Sequence, residues 1–316
     1  MNKRVYGILG IASIMANWNA DFTGYPKTTS NGDIFGSDKA FKYPMKKMWE
    51  NSGEKVLYIK SMKLSEGKGG EVDLVPRSLK ERYEYLFNEE DLKKNKDSKK
   101  VLTNLFTAID VKNFGATFAE EGNNISITGA VQIGQGFNKY EGSYAEEQQI
   151  LSPFRDASVK DNKKDQEEAK SSTLGTKIVS NEAHYFYPFT VNPLAYKEFV
   201  ELGVTEGYTE EDYLKFKSAA ISAATSFATN AKVGCENEFA LFVETDSSLF
   251  LPNLTQYIKF EKGDDKNTVT LTCDELFNDL KERILNIEVY YNPYTTKIDA
   301  NIEGAKFYNI FTNKEV

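Results

Sequence analysis

The feature that most constrains this chain is the run Val5–Ala16, mostly apolar and preceded by the polar, basic Asn2-Lys3-Arg4. A charged segment followed by an apolar one imitates a secretory signal. Gly7 and Gly10 interrupt it, and it falls well short of the roughly 18 apolar residues that a spanning helix needs. The run is therefore expected to be a buried first strand. No other stretch reaches the length of a membrane span, and a cytoplasmic protein is expected.

One core with excursions fits 316 residues. The chain is 40% hydrophobic and 13% aromatic, enough to build that core without covalent staples. Cys235 and Cys273 form no CxxC pair and His184 is the single histidine, so neither a zinc site nor a disulfide framework is expected, and no cofactor is implied. Gly134-x-Gly136 lacks the third glycine of a dinucleotide fingerprint, since Lys139 stands there, and no Walker A sequence is present. The formal net charge of −8 argues on its face against a nucleic-acid partner. Its distribution argues otherwise, because residues 1–100 carry +5 and residues 101–316 carry −13. Such a chain can hold a polyanion on one surface and present the other to neighbouring subunits.

Alternation marks Ile125–Ile133 as the clearest strand, with Ile125, Ile127, Val131 and Ile133 on one face and Ser126, Thr128 and Gln132 on the other. Further strands are expected at Val5–Ala16, Glu238–Glu244, Ile287–Tyr291, and at Tyr257–Phe260 and Thr268–Thr272 around a turn at Gly263–Asn267. Capping boxes open helices at Thr209/Asp212, Ser78/Glu81 and Thr272/Glu275. The Thr209 helix is expected to carry Phe216, Ala220, Ala223 and Phe227 as one stripe ending near Asn230. This mixture predicts an α+β fold rather than a doubly wound parallel sheet. Residues 17–75 and 135–182 show little periodicity and are expected to leave the compact core as long functional segments.

Several residues have the chemistry of RNA contacts. Lys39, Lys42, Lys46 and Lys47 follow one another with no acid between them, suited to neutralising phosphates. A solvated surface is the plain alternative. Gln132, Gln135, Asn138 and Lys139 carry a polar strand face into the Gly134–Gly136 turn, where missing side chains let a sugar-phosphate chain approach. Phe137, His184 and Phe186 have rings able to stack on bases, while core packing is the bland reading for each.

Three stretches read together resemble a known family. They are Ile14–Asp21 with Asn31-Gly32-Asp33 and Lys39–Lys47; Ala108–Ala116 leading into Ile127–Gln132; and Gln149–Phe154 with Leu174–Lys177 and Ala183–Tyr187. Together they resemble the CRISPR-associated Cascade backbone family of the RAMP superfamily, in its type I-B, autoregulator-like branch. The resemblance implies a single hand-shaped domain over 1–316, with a modified RRM-like (ferredoxin-like) antiparallel sheet as palm, a finger-like excursion at 17–75 and a thumb insertion at 135–190. It implies a non-catalytic protein that lines up with copies of itself in a helical filament along crRNA, contacts other Cascade subunits, and presents the guide to target DNA without a metal of its own. Asn17, Asn19 and Arg155 join the RNA-binding candidates on this resemblance. An RNA-cleaving relative of type III complexes, using Asp21, Asp33 or Asp38 with a metal, and an interaction scaffold that never touches RNA are the competing readings.

Overall fold

The computed structural model describes residues 1–67, 70–94, 97–151 and 174–316. From the N-terminus, β1 (Lys3–Ala16) and β2 (Phe35–Gly36) precede α1 (Asp38–Asn51), the hairpin β3 (Met62–Glu66) and β4 (Val72–Pro76), and α2 (Leu79–Phe87). Helices α3 (Ser98–Thr107) and α4 (Ile109–Phe114) lead to β5 (Gly115–Phe118), β6 (Ile125–Thr128), β7 (Val131–Ile133), β8 (Gly136–Asn138), β9 (Ala145–Leu151) and β10 (Leu174–Val191). Helices α5 (Lys197–Glu201), α6 (Glu210–Ala220) and α7 (Ala223–Ser226) return the chain to β11 (Cys235–Asp246). The remainder holds β12 (Ile258–Glu261), β13 (Asn267–Leu271), α8 (Asp274–Asp279), β14 (Ile284–Tyr291), β15 (Thr296–Asp299) and β16 (Lys306–Asn309).

Strand β1 lies at the centre of a nine-stranded sheet, antiparallel to β10 on one side and to β11 on the other. Strands β7, β8 and β9 each pair with β10, so the palm order is β11, β1, β10, then β7 to β9, antiparallel throughout. The connections from β1 to β7 and from β10 to β11 both run through helices. This is the split β-α-β arrangement of a ferredoxin-like, α+β palm. Strand β14 extends the sheet beyond β11, and β16 joins β14 in parallel. On the outer edge of β16, Val316 N–H donates to the Phe307 carbonyl and Asn309 N–H to the Lys314 carbonyl. The C-terminal residues therefore satisfy that edge.

The opening run is apolar because both faces of β1 are covered, leaving no side to alternate with water. One face packs on the helices through Val5, Leu9, Ile11, Phe41, Met45, Trp49, Leu105 and Phe216. The other packs through Tyr6, Ile8, Phe186, Phe239 and Leu241 on Ile258, Phe260, Val269 and Leu271 of the small sheet β12–β13–β15. The two glycines of β1 are the points where rings cross it. A Cβ on Gly7 would lie 1.9 Å from the Leu241 carbonyl oxygen and 2.4 Å from the Phe189 ring, and one on Gly10 would lie 2.8 Å from Phe239 Cβ and 3.2 Å from the Phe186 ring. On opposite faces, Phe189 meets Phe242 at 5.2 Å over Gly7, and Phe186 meets Phe239 at 6.1 Å over Gly10. Glycine inside a strand commonly marks such close approach.

Local signals hold where the interaction is local and fail where tertiary contacts override them. The boxes at Ser78/Glu81 and Thr209/Asp212 form with both reciprocal hydrogen bonds. The expected Thr272/Glu275 box does not: α8 starts one residue later, after Cys273, because the Thr272 hydroxyl and the Thr272 N–H both donate to the Tyr257 carbonyl. The Phe216–Phe227 stripe is broken after Ala220, where Asn237 from β11 donates to the Ala220 carbonyl and accepts the Ala224 N–H. The strand expected over Ile125–Ile133 is two strands in two sheets, interrupted at Gly129-Ala130. A Cβ on Gly129 would lie 2.2 Å from the Phe114 backbone, and Ala130 N–H donates to the Tyr196 hydroxyl, so that point is pinned against α4. The alternation survives the break, which is why it reads as one strand.

Residues 17–75 are also not a single excursion. Trp18, Phe41, Met45, Trp49, Val56 and Leu57 are buried in the main core, and α1 lies across the palm. What stands apart is the hairpin β3–β4, whose pairs Leu64/Leu74 and Glu66/Val72 are exposed.

Candidate nucleic-acid interface

The register of the sheet aligns five aromatic residues in a row that crosses six strands. Tyr291 on β14 stands opposite Phe239 on β11, which stands opposite Gly10 on β1, then Phe186 on β10, Phe137 on β8 and Phe35 on β2. Directly opposed residues share a face, so these rings form one continuous stripe. Its inner part lies under the small sheet, with Phe239 and Phe186 each 1% exposed. Its outer end reaches solvent, where Phe137 is 42% exposed. Phe35 and Phe137 stand 6.0 Å apart between ring centroids, and the Lys27 ammonium lies 5.7 Å above the Phe35 ring.

The tight pairing that creates this end follows from two complementary dipeptides, Phe35-Gly36 on β2 against Gly136-Phe137 on β8. Behind them Tyr187 fills the space that side chains on the glycines would take: a Cβ would lie 1.8 Å from the Tyr187 hydroxyl at Gly36 and 2.3 Å from its ring at Gly136. Trp18 Nε1–H donates to that hydroxyl at 2.5 Å, and burial pushes the phenol well above its ordinary range. The exposed Phe137 ring and the half-buried Phe35 ring are thus held on a rigid base. An exposed ring next to a half-buried one that carries a cation suits stacking on single-stranded bases with a phosphate nearby.

The candidates named from sequence divide sharply. Gln132, Gln135 and Phe137 are exposed on β7, β8 and the turn between them, and Lys139 follows half-buried. Gln132 Nε2 donates to the Gly129 carbonyl. Lys39 is exposed in the first turn of α1, directly after Phe35-Gly36 and Ser37. The rest of the lysine run is engaged within the fold. Lys42 pairs with Asp38 at 2.8 Å and Lys47 with Glu50 at 2.7 Å. Lys46 turns inward: its ammonium donates to the Tyr58 carbonyl at 3.2 Å and lies 3.5 Å from buried Asp110. Burial pushes its pKa down against the pull of Asp110. Asp110 in turn accepts the N–H groups of Leu57 and Tyr58, both at 2.8 Å, so the Ala108–Ala116 motif anchors the segment after α1.

Asn17 is buried, with Nδ2 donating to the Gly24 and Ile178 carbonyls, which fastens the loop after β1 to the base of the β9–β10 hairpin. Asn19 Oδ1 accepts Ser37 N–H and so positions the start of α1. Asn138 Oδ1 accepts His184 N–H while its Nδ2 reaches the Tyr140 carbonyl and Ser143 Oγ, an internal turn role. His184 and Phe186, expected as stacking residues, are each 1% exposed and belong to the second core. Arg155 lies outside the described residues. Lys27 and Phe35 were missed from sequence, and their only signal is the mirror-image pair Phe-Gly and Gly-Phe.

The acids named for a metal-dependent reading serve local structure. Asp21 Oδ1 accepts Thr23 Oγ1–H, Thr23 N–H and Tyr25 N–H, and the Thr23 hydroxyl, with the N–H groups of Thr23 and Gly24, holds its carboxyl below the ordinary range. Asp33 accepts from the Thr29 hydroxyl, and Asp38 pairs with Lys42. Among the described residues no helix is long and apolar enough to cross a membrane.

Comparison with known proteins agrees with this architecture. A family model described as CRISPR-associated protein Cas7 matches residues 3–276. No curated protein matches the sequence. Among solved structures, the chain is similar to one from a CRISPR RNA-guided surveillance complex, pre-nicking, with a TM-score of 0.56 at 14% identity over 96% of each chain. At that identity the shared property is the fold.

Proposed function

The chain belongs to the CRISPR-associated protein Cas7 family, and we propose that it is a non-catalytic, crRNA-binding backbone subunit of a type I-B Cascade-like complex. The observation that carries this reading is the aromatic stripe that leaves the core at Phe137 and Phe35 beside Lys27. Stacking on ring faces and a few phosphate contacts tolerate any base, which is what a subunit holding guides of arbitrary sequence requires. Base pairing then supplies specificity, with the protein reading backbone and shape.

In this reading the guide passes over the β2–β8 end of the palm, with Lys39, Lys27 and Lys139 as phosphate partners and Gln135 at the turn. The β9–β10 hairpin projects beside it and takes the part of the thumb, and the exposed β3–β4 hairpin that of the finger. Copies stack along the RNA and meet other Cascade subunits, and the bound guide is offered to target DNA. Both faces of the palm are covered, so the RNA path runs along the sheet's edge rather than over the polar side of an open sheet.

Expression of the chain alone, followed by nuclease digestion of the purified oligomer, tests the reading. RNA protected in regular lengths is the expected result. Protein free of nucleic acid, or an affinity unchanged by Phe35→Ala with Phe137→Ala, would overturn it. Regularly spaced cuts in complementary RNA with magnesium would favour the RNA-cleaving alternative.

A further inference from the structure

The single histidine of the chain sits in an arrangement that RNA binding does not use. His184 lies on β10 with Nδ1 2.8 Å from Glu238 Oε2 and Nε2 2.9 Å from Glu182 Oε1. Both ring nitrogens face carboxylate oxygens, and only an imidazolium has two N–H groups to donate. Above it the Phe260 ring of β12 is stacked with centroids 3.8 Å apart, and the Tyr140 ring meets it edge-on at 6.0 Å. Lys262, just past β12, completes the chain of charges by pairing with Glu182 at 2.6 Å.

The cluster therefore joins three strands of different origin. Glu238 comes from β11, His184 and Glu182 from β10, and Phe260 with Lys262 from the small C-terminal sheet. The strand between, β1, contributes Ala12 opposite His184 and no charge. The titratable and charged groups facing the imidazole are thus Glu182, Glu238, Tyr140 and, through Glu182, Lys262.

We propose that this cluster is a proton-dependent clasp: the His184 imidazolium, bridging Glu182 and Glu238 under Phe260, holds the β12–β13–β15 sheet on the palm, and its deprotonation loosens that sheet and uncovers Phe186 and Phe239. Without the proton, one ring nitrogen presents a lone pair to a carboxylate: half-buried Glu182 keeps Lys262 as its cation, while buried Glu238 is left facing a neutral ring. Burial by itself pushes the His184 pKa down, but the two carboxylates outweigh it and the net direction is upward. A raised value means the clasp contributes fully below the ordinary imidazole range, near 6.5, and is lost as pH rises through the value in the folded protein. The inference is independent of the RNA-binding reading.

Hydrogen exchange of the intact chain, scaled for base catalysis, measures the clasp directly. Between about pH 6 and about pH 8.5, exchange of β12 and β13 should rise by roughly tenfold, while α6 stays protected. Binding of an apolar dye should rise in parallel. In His184→Gln both signals should be high at either pH. Glu182→Gln, which leaves the bridge to Glu238, should retain the step but move it to lower pH. Since the chain has one histidine, its ring resonances can be followed without assignment and should titrate with the same midpoint. Equal exchange at both pH values in the wild type, a step that persists in His184→Gln, or a step that stays put in Glu182→Gln would each overturn the proposal.

Discussion

Phe137 and Phe35 carry the most testable content of any single residues. Replacing either by Ala leaves the core intact, because the ring buried behind them belongs to Tyr187. The expected outcome is a loss of roughly 1–3 kcal/mol in RNA affinity per base unstacked, with a melting temperature close to wild type, measured by filter binding and thermal unfolding. The lysines separate in the opposite sense. Lys39→Ala should weaken RNA binding without affecting stability. Lys46→Ala should lower stability by about 1–3 kcal/mol, since it strips a partner from buried Asp110 and the Tyr58 carbonyl. A denaturant series on both variants decides this, and equal behaviour would return Lys46 to the RNA-facing surface. Sequence could not make the distinction. The four lysines look alike as letters, and only the path of residues 55–58 over α1 determines which ammonium turns inward.

Elements were legible where one residue's neighbours in sequence are also its partners in space. The Ser78 and Thr209 boxes close within one turn, and the β12–β13 hairpin within a short connection. The Thr272 box and the long Phe216–Phe227 helix were misread because Tyr257 and Asn237 compete for the same backbone groups from a distance. The palm's central strand was legible for a different reason, since an apolar run with no polar phase is itself the signature of a strand covered on both sides. Its glycines carry a prediction at this scale. Gly10→Val drives a branched side chain into Phe239 and Phe186, and overpacking of this kind costs about 1–3 kcal/mol. Urea unfolding should report that loss, and the Phe186 ring should move with it, so Gly10→Val is expected to disturb RNA binding at Phe137 although it lies inside the protein.

At the scale of the whole molecule, the net charge of −8 limits how tightly one copy holds a polyanion. With Lys27, Lys39 and Lys139 as the phosphate partners, the slope of log affinity against log salt should be about −2 per copy, from roughly 0.7 per phosphate on a single strand. A much steeper slope in a salt titration would show that other cations take part. In the proposed filament, so shallow a slope would place the strength of binding in the number of copies aligned on one RNA rather than in each contact.

The manner in which copies join is also limited by how the large sheet finishes at its two ends. On one side the C-terminal residues already occupy hydrogen-bonding groups of β16, and on the other β2 is a strand of two residues, too brief to template a newcomer, while among the described residues β9, seven residues long, pairs only with β10. Copies aligned in the proposed filament therefore gain little from fusing sheet to sheet at β16 or β2, and an added strand would have to come in at β9. In the proposed filament the length is then left to whatever the copies line up on, which makes the guide, not the protein, the ruler of the assembly.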